Sequence, residues 1–169
     1  SFGLNLIETS HFIGAIMIVG GVSGILAGGW LGDRLGSADR AWFAWVPAIA
    51  YLASIPFFAS GIMSSSVAAA FVLFVVPQGL SSVWLGPVLS AVQHLVPAPS
   101  RATASALFLL INNLIGLGGG IYVMGALSDV LAPVYGEQSL RYSTLYALAL
   151  YGVSTLLMAL CGPRLRRDW

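Results

Sequence analysis

The sequence contains no lysine, one cysteine and very little charge. Only 8% of its 169 residues are Asp, Glu, Lys or Arg, against roughly 25% in an ordinary soluble domain. With 58% hydrophobic residues, a water-soluble fold of this size cannot hide its apolar surface, so the solvent is lipid. Cys161 stands alone, which excludes an internal disulfide and says nothing about redox compartment. The net charge of +1 is scattered over short loops, so no nucleic-acid partner is expected. No group of side chains suggests a metal site, a cofactor or a catalytic centre. There is no G-x-S-x-G, and His11 and His94 fall at opposite ends of their spans, so an enzyme is not expected.

What is present is apolar length. About twenty apolar residues cross the hydrocarbon core, and five such runs can be read, at about 11–31, 42–62, 67–95, 102–127 and 143–161. The punctuation is Gly36-Ser37-Ala38-Asp39, Met63-Ser64-Ser65-Ser66, Pro97-Ala98-Pro99-Ser100, and a longer polar stretch over 128–142. The first run is too long, and lacks the basic flank, for a secretory signal. Trp42, Trp45 and Trp169 read as interfacial anchors.

Arginine placement sets the orientation. Arg34, Arg40, Arg101, Arg164, Arg166 and Arg167 fall on one side and Arg141 alone on the other. By the positive-inside bias the first loop and the C-terminus face the cytoplasm. An odd number of spans then puts the first residue outside. With Ser1 rather than Met at the start, the expectation is a fragment lacking a helix before the first span.

Gly29-Trp30-Leu31-Gly32-Asp33-Arg34-Leu35, at the end of the first span, is echoed by Gly125-Ala126-Leu127-Ser128-Asp129-Val130-Leu131 at the end of the fourth. Both read G-x-L-x-D-x-L and fall on opposite sides of the membrane in this topology, as inverted three-helix repeats require. Glycines recur at four-residue spacing, Gly20, Gly24 and Gly28 in the first span and Gly116 and Gly120 in the fourth. Such stripes let helices approach closely, either within this bundle or against another domain.

Polar residues at membrane depth give the candidate cavity. Asn112 and Asn113 sit midway along the fourth span, about 100° apart on the helix. At least one borders a hydrated cavity, or an interhelical hydrogen bond takes it up. Gln78, Ser81 and Ser82 lie between Pro77 and Pro87, where the third span should bend. Ser82 shares a face with Gln78, and the hydroxyls either line a site or tie up proline-freed carbonyls. Phe108 lies one turn from Asn112, so the expected cavity wall is Gln78, Ser82, Phe108, Asn112 and Asn113. No acid occupies the apolar middle of any span, so no proton site is expected in these residues.

The run GGWLGDRLG followed by Asp39-Arg40 resembles the loop signature of the major facilitator superfamily. The series GPVLSAVQHLVPAPSRATASALFLLINNLIGLGGG, then VMGALSD, resembles the second half of its spinster-like members. One departure is Gly120, where that family often carries proline. The resemblance implies an all-α membrane protein, with residues 1–169 making most of the C-terminal six-helix bundle, as the eighth to twelfth of twelve helices. It implies a secondary transporter working by alternating access, similar to proton-linked exporters of lysophospholipids and sphingoid phosphates, whose proton-carrying carboxylates lie in the first half. The implied partners are membrane lipid, a small amphiphilic substrate and the N-terminal half of the same transporter. It also implies that Gly29, Asp33, Arg34, Gly36 and Arg40 form a latch holding the outward-facing state. A bacterial inner membrane is the expected location. The competing reading is a channel subunit or a non-transporting membrane scaffold.

Overall fold

The structure is a computed structural model describing residues 5–64 and 66–168. Trp169, one of the expected anchors, lies outside them. Five helices are long and apolar enough to cross a membrane: α1 Leu6–Gly36, α2 Trp42–Met63, α3 Val67–His94, α4 Ala98–Tyr135 and α5 Ser139–Arg167. Most outrun the apolar runs in the sequence, because hydropathy measures lipid thickness while the helix continues until something stops it. α1 starts early on a capping box: the Asn5 side chain accepts from the Glu8 amide, and the Glu8 carboxylate accepts from the Asn5 amide.

The largest difference from expectation falls at residues 128–142, read above as a polar connection. Helix occupies most of it. α4 runs on to Tyr135, where Gly136, at φ 53, turns the chain before α5 begins at Ser139. A positive φ of that size suits glycine, so the break is confined to the one residue that tolerates it. The Ser128 and Ser139 hydroxyls meet at 3.0 Å, and the Tyr135 and Tyr142 rings stack at 4.0 Å, closing the hairpin.

Contacts divide the chain into two compact units. One contains the described residues up to Ala91 together with those from Tyr151 onward; the other is Val92–Leu150. In the first, Val46, Ala50 and Val83 form a buried apolar cluster flanked by Leu31, Leu35, Trp42 and Leu80. The glycine stripe of α1 makes this packing possible. A Cβ on Gly24 would strike the backbone carbonyl of Gly79, one on Gly28 that of Val83, and one on Gly20 would lie 2.7 Å from the Val75 carbonyl. So α1 and α3 meet backbone to backbone, through van der Waals contact that lipid cannot replace. The stripe therefore serves packing inside the bundle. Gly120 of α4 has open space where its Cβ would be, and a Cβ on Gly116 would reach no closer than 4.0 Å to the Asn112 amide oxygen.

Helical geometry is interrupted in three places. α3 breaks at residues 83–84, between Val67–Ser82 and Leu85–His94. α1 widens to π-helix over Met17–Gly21, and α4 does so over Asn112–Gly119.

Candidate functional site

The glycine-rich loop closes α1. Gly28, Gly32 and Gly36 are buried, Gly32 beneath Pro87 and Gly36 beneath the Phe43 ring. Gly29 lies against Gly86, whose own Cβ would come within 2.8 Å of it. This packing points Asp33 outward. Its carboxylate is exposed and makes no hydrogen bond or ion pair among the described residues. The two arginines of the loop take other duties: Arg34 lies over the Trp30 ring at 5.4 Å, and Arg40 donates to the Gly36 carbonyl at 3.2 Å.

The carboxylate that is engaged belongs to Asp39. It accepts from the Ala41 amide at 3.0 Å and takes both arms of Arg166, from Nε at 2.8 Å and from Nη2. The Arg166 guanidinium, then the Ala41 amide, hold the Asp39 carboxyl below its ordinary range. Arg166 also lies over the Trp45 ring at 4.9 Å. Trp45 in turn donates its indole N–H to the Ala159 carbonyl at 3.3 Å. Pro163 stands four residues beyond Ala159 and has no N–H to give it, so the indole replaces the missing backbone donor. Gly162 makes room, because a Cβ there would strike the indole nitrogen. Thus Asp39, Arg166, Trp45 and the Gly162-Pro163 pair tie the loop after α1 to the end of α5. The sequence reading took Trp45 as an interfacial anchor and left Asp39 and Arg166 without a specific role. The one available signal was Gly162-Pro163, just past the fifth apolar run, which the helix runs through.

The polar residues at membrane depth fall into two groups. Gln78 and Ser82 belong to the first unit. The Ser81 and Ser82 hydroxyls both donate to the Gln78 carbonyl, at 3.0 and 2.8 Å. The carbonyls freed by Pro77 and Pro87 are those of residues 73 and 83, so the serines brace the break in α3 instead. The Gln78 side chain borders an apolar groove of about 280 Å³ lined by Phe12, Ile13, Ile16, Met17, Phe58 and Phe74. Gly20 lets it lie there, since a Cβ on Gly20 would come within 2.9 Å of the Gln78 Cβ.

Phe108, Asn112 and Asn113 belong to the second unit. Phe108 is half-buried and both asparagines are exposed. Asn113 donates its amide to the Leu109 carbonyl at 2.7 Å, where α-helix gives way to π-helix. The Asn112 amide makes no hydrogen bond among the described residues, and Phe108, one turn earlier, shares its face. Among the described residues no group of three or more His, Cys, Asp or Glu side chains could hold a metal ion.

No protein-family model matches the chain. It is 32% identical over 167 residues to an MFS-type efflux pump of Mycolicibacterium smegmatis, covering 98% of this chain and 39% of that protein. It is 30% identical over 148 residues to protein spinster homolog 3 of Danio rerio, covering 80% of this chain and 29% of that one. The chain thus spans well under half the length of either relative. Five apolar spanning helices and these matches define an all-α integral membrane protein. The chain belongs to the major facilitator superfamily, in its spinster-like family.

Proposed function

We propose that this chain is the C-terminal transmembrane half of a secondary transporter that exports a small amphiphilic molecule by alternating access, coupled to protons and without chemistry on its cargo. The observation that carries this reading is the match of 98% of the chain to an MFS-type efflux pump. The resemblance of the third and fourth spans to spinster-like transporters implies a lipid-like cargo, a lysophospholipid being the model case. The apolar groove with Gln78 at its edge supports an amphiphile, whose chain needs apolar lining and whose head needs a few hydrogen-bonding groups. An amide with no partner at the depth of Asn112 is costly in hydrocarbon, by roughly 2–7 kcal/mol. That cost disappears if Asn112 borders a hydrated cavity.

In this reading Gln78, Ser82, Phe108, Asn112 and Asn113 belong to the cavity wall, and the loop of Gly29, Asp33, Arg34, Gly36 and Arg40 is the latch. The N-terminal half of the same transporter supplies the other wall and the proton-carrying carboxylates. The chain sits in a bacterial inner membrane with its C-terminus cytoplasmic, as six arginines against one favour.

The test is uptake of a fluorescent lysophospholipid by liposomes containing the full-length protein under an imposed proton gradient. Replacing Gln78, Asn112 and Asn113 by Leu should reduce uptake on the order of tenfold, the loss of about 1.4 kcal/mol of differential binding. Undiminished uptake would make these packing residues. No uptake by the unmodified protein under any gradient would reject the transport reading.

A further inference from the structure

α1 and α4 carry the two copies of the G-x-L-x-D-x-L signature, and both contain π-helix. The 96 positions that separate Asp33 from Asp129 carry residues 17–21 onto 113–117, inside the stretch Asn112–Gly119. The two irregular stretches therefore overlap in position relative to their aspartates, the shorter falling within the span of the longer. π-helix is uncommon and appears mostly as single turns, often at functional sites. Its recurrence at equivalent positions of the repeat argues against accident.

Two further observations concern the same stretches. Each is tied by one polar side chain reaching four residues back. The Ser23 hydroxyl donates to the Val19 carbonyl at 2.6 Å and lies 3.0 Å from that of Gly20, and the Asn113 amide donates to the Leu109 carbonyl. Glycines also gather there. Gly21, Gly118, Gly119 and Gly120 lie in or beside the two stretches, and among the described residues the only positive-φ glycine is Gly136. Glycine inside a helix weakens it and leaves it freer to bend.

We propose that Met17–Gly21 and Asn112–Gly119 are a matched pair of hinges, with Ser23 and Asn113 as positioning residues that hold the widened turns. The signature-bearing ends of α1 and α4 would swing on these hinges as the transporter changes state. This goes beyond the transport reading, since the hinges are a property of the helices whatever the cargo.

The first measurement is hydrogen exchange on the full-length unmodified protein in detergent, read by mass spectrometry without cargo. Amides in the two stretches should exchange on the order of tenfold faster than those at similar depth in α2 and α5. The second uses the geometry of the π turn, which is an α turn with one residue inserted. Deleting Ile18 or Leu114 should restore α-helix without rotating the flanking faces. Each deletion should leave the protein folded, abolish the fast exchange in its own stretch, and slow uptake on the order of tenfold. Cysteine labelling from the two sides should then show one state favoured. If exchange in both stretches matches that of α2 and α5, the proposal fails, whether or not the deletion variants fold. Fast exchange with uptake in both deletion variants within about twofold of the parent would also overturn it. A protein that moves no cargo yet shows the matched fast exchange refutes the transport reading and leaves the hinges.

Discussion

The backbone contact between α1 and α3 allows a stability comparison within one helix. Gly14 and Gly24 both lie on α1. A Cβ on Gly14 would meet nothing within 4 Å, whereas one on Gly24 would strike the Gly79 carbonyl, with the Gly79 carbonyl carbon at 2.7 Å and its Cα at 2.8 Å. Alanine in place of glycine gains about 0.5–1 kcal/mol of helix stability through lower backbone entropy. Gly14→Ala should show that gain alone. Gly24→Ala should show it less an overpacking cost of about 1–3 kcal/mol, at the upper end because the obstacle is backbone on both sides and no side chain can move aside. The two variants should then differ by about 2–3 kcal/mol, or roughly thirty- to a hundred-and-sixtyfold in the unfolding equilibrium. The assay is reversible unfolding of the purified full-length protein in mixed micelles, titrated with denaturing detergent and followed by tryptophan fluorescence. Equal stabilities for Gly14→Ala and Gly24→Ala would refute the close α1–α3 contact and with it the packing role of the stripe.

Three further predictions rest on the cluster that ties the first loop to α5. Trp45→Phe keeps a ring beneath Arg166 but leaves the Ala159 carbonyl without its donor, and should cost about 1–3 kcal/mol by the same unfolding assay; Trp45→Phe as stable as the parent would mean another donor serves that carbonyl. Gly162→Val should displace the Trp45 indole and blue-shift or quench its fluorescence, checked against a Trp45→Phe background in which the change disappears. The Asp39 carboxyl lies below its ordinary 3.8 in the folded protein, so its contribution to stability is complete above that value and is lost as pH falls through the folded one. The parent should therefore exceed Asp39→Asn in stability at neutral pH and converge with it in acid, and a pH-independent difference would show that the ion pair is not the cause.

The spans and their order were legible because apolar length is a local count that lipid enforces directly. The glycine stripe was legible as a stripe, but its partner was not: a spacing of four says that something approaches closely, and only the fold shows that the Gly79 and Val83 backbone does so. The hairpin between α4 and α5 misled for a physical reason. Ser128, Asp129 and the polar residues after Gly136 look like a loop by hydropathy, yet nothing before Gly136 stops a helix already running, and Pro133 does not break it. Asp39 and Arg166 lie 127 positions apart, beyond the reach of any periodicity. Polar residues at membrane depth could be picked out from the sequence. What Ser82 and Asn113 do with their hydrogen bonds could not, because both turn back to carbonyls of their own helices.

The loop after α1 shows how one short segment divides its two carboxylates. Asp39 accepts three hydrogen bonds, one from the Ala41 amide and two from Arg166, and Arg40 fastens the same turn to the Gly36 carbonyl, so the segment is anchored at the start of α2 and the end of α5. Asp33, six positions earlier, is left exposed at the end of a helix whose last carbonyls already carry partial negative charge. A carboxylate there gains nothing from its own helix. Gly32 and Gly36, packed under Pro87 and Phe43, nevertheless fix the direction in which it points. A rigid mount carrying an unengaged charge fits a contact made in only one state of a moving protein. Under the proposed alternating access, an aspartate fully paired within its own unit could not change partners between states. In that proposal the exposed Asp33 would act as the latch, and Asp39 would keep its mount still.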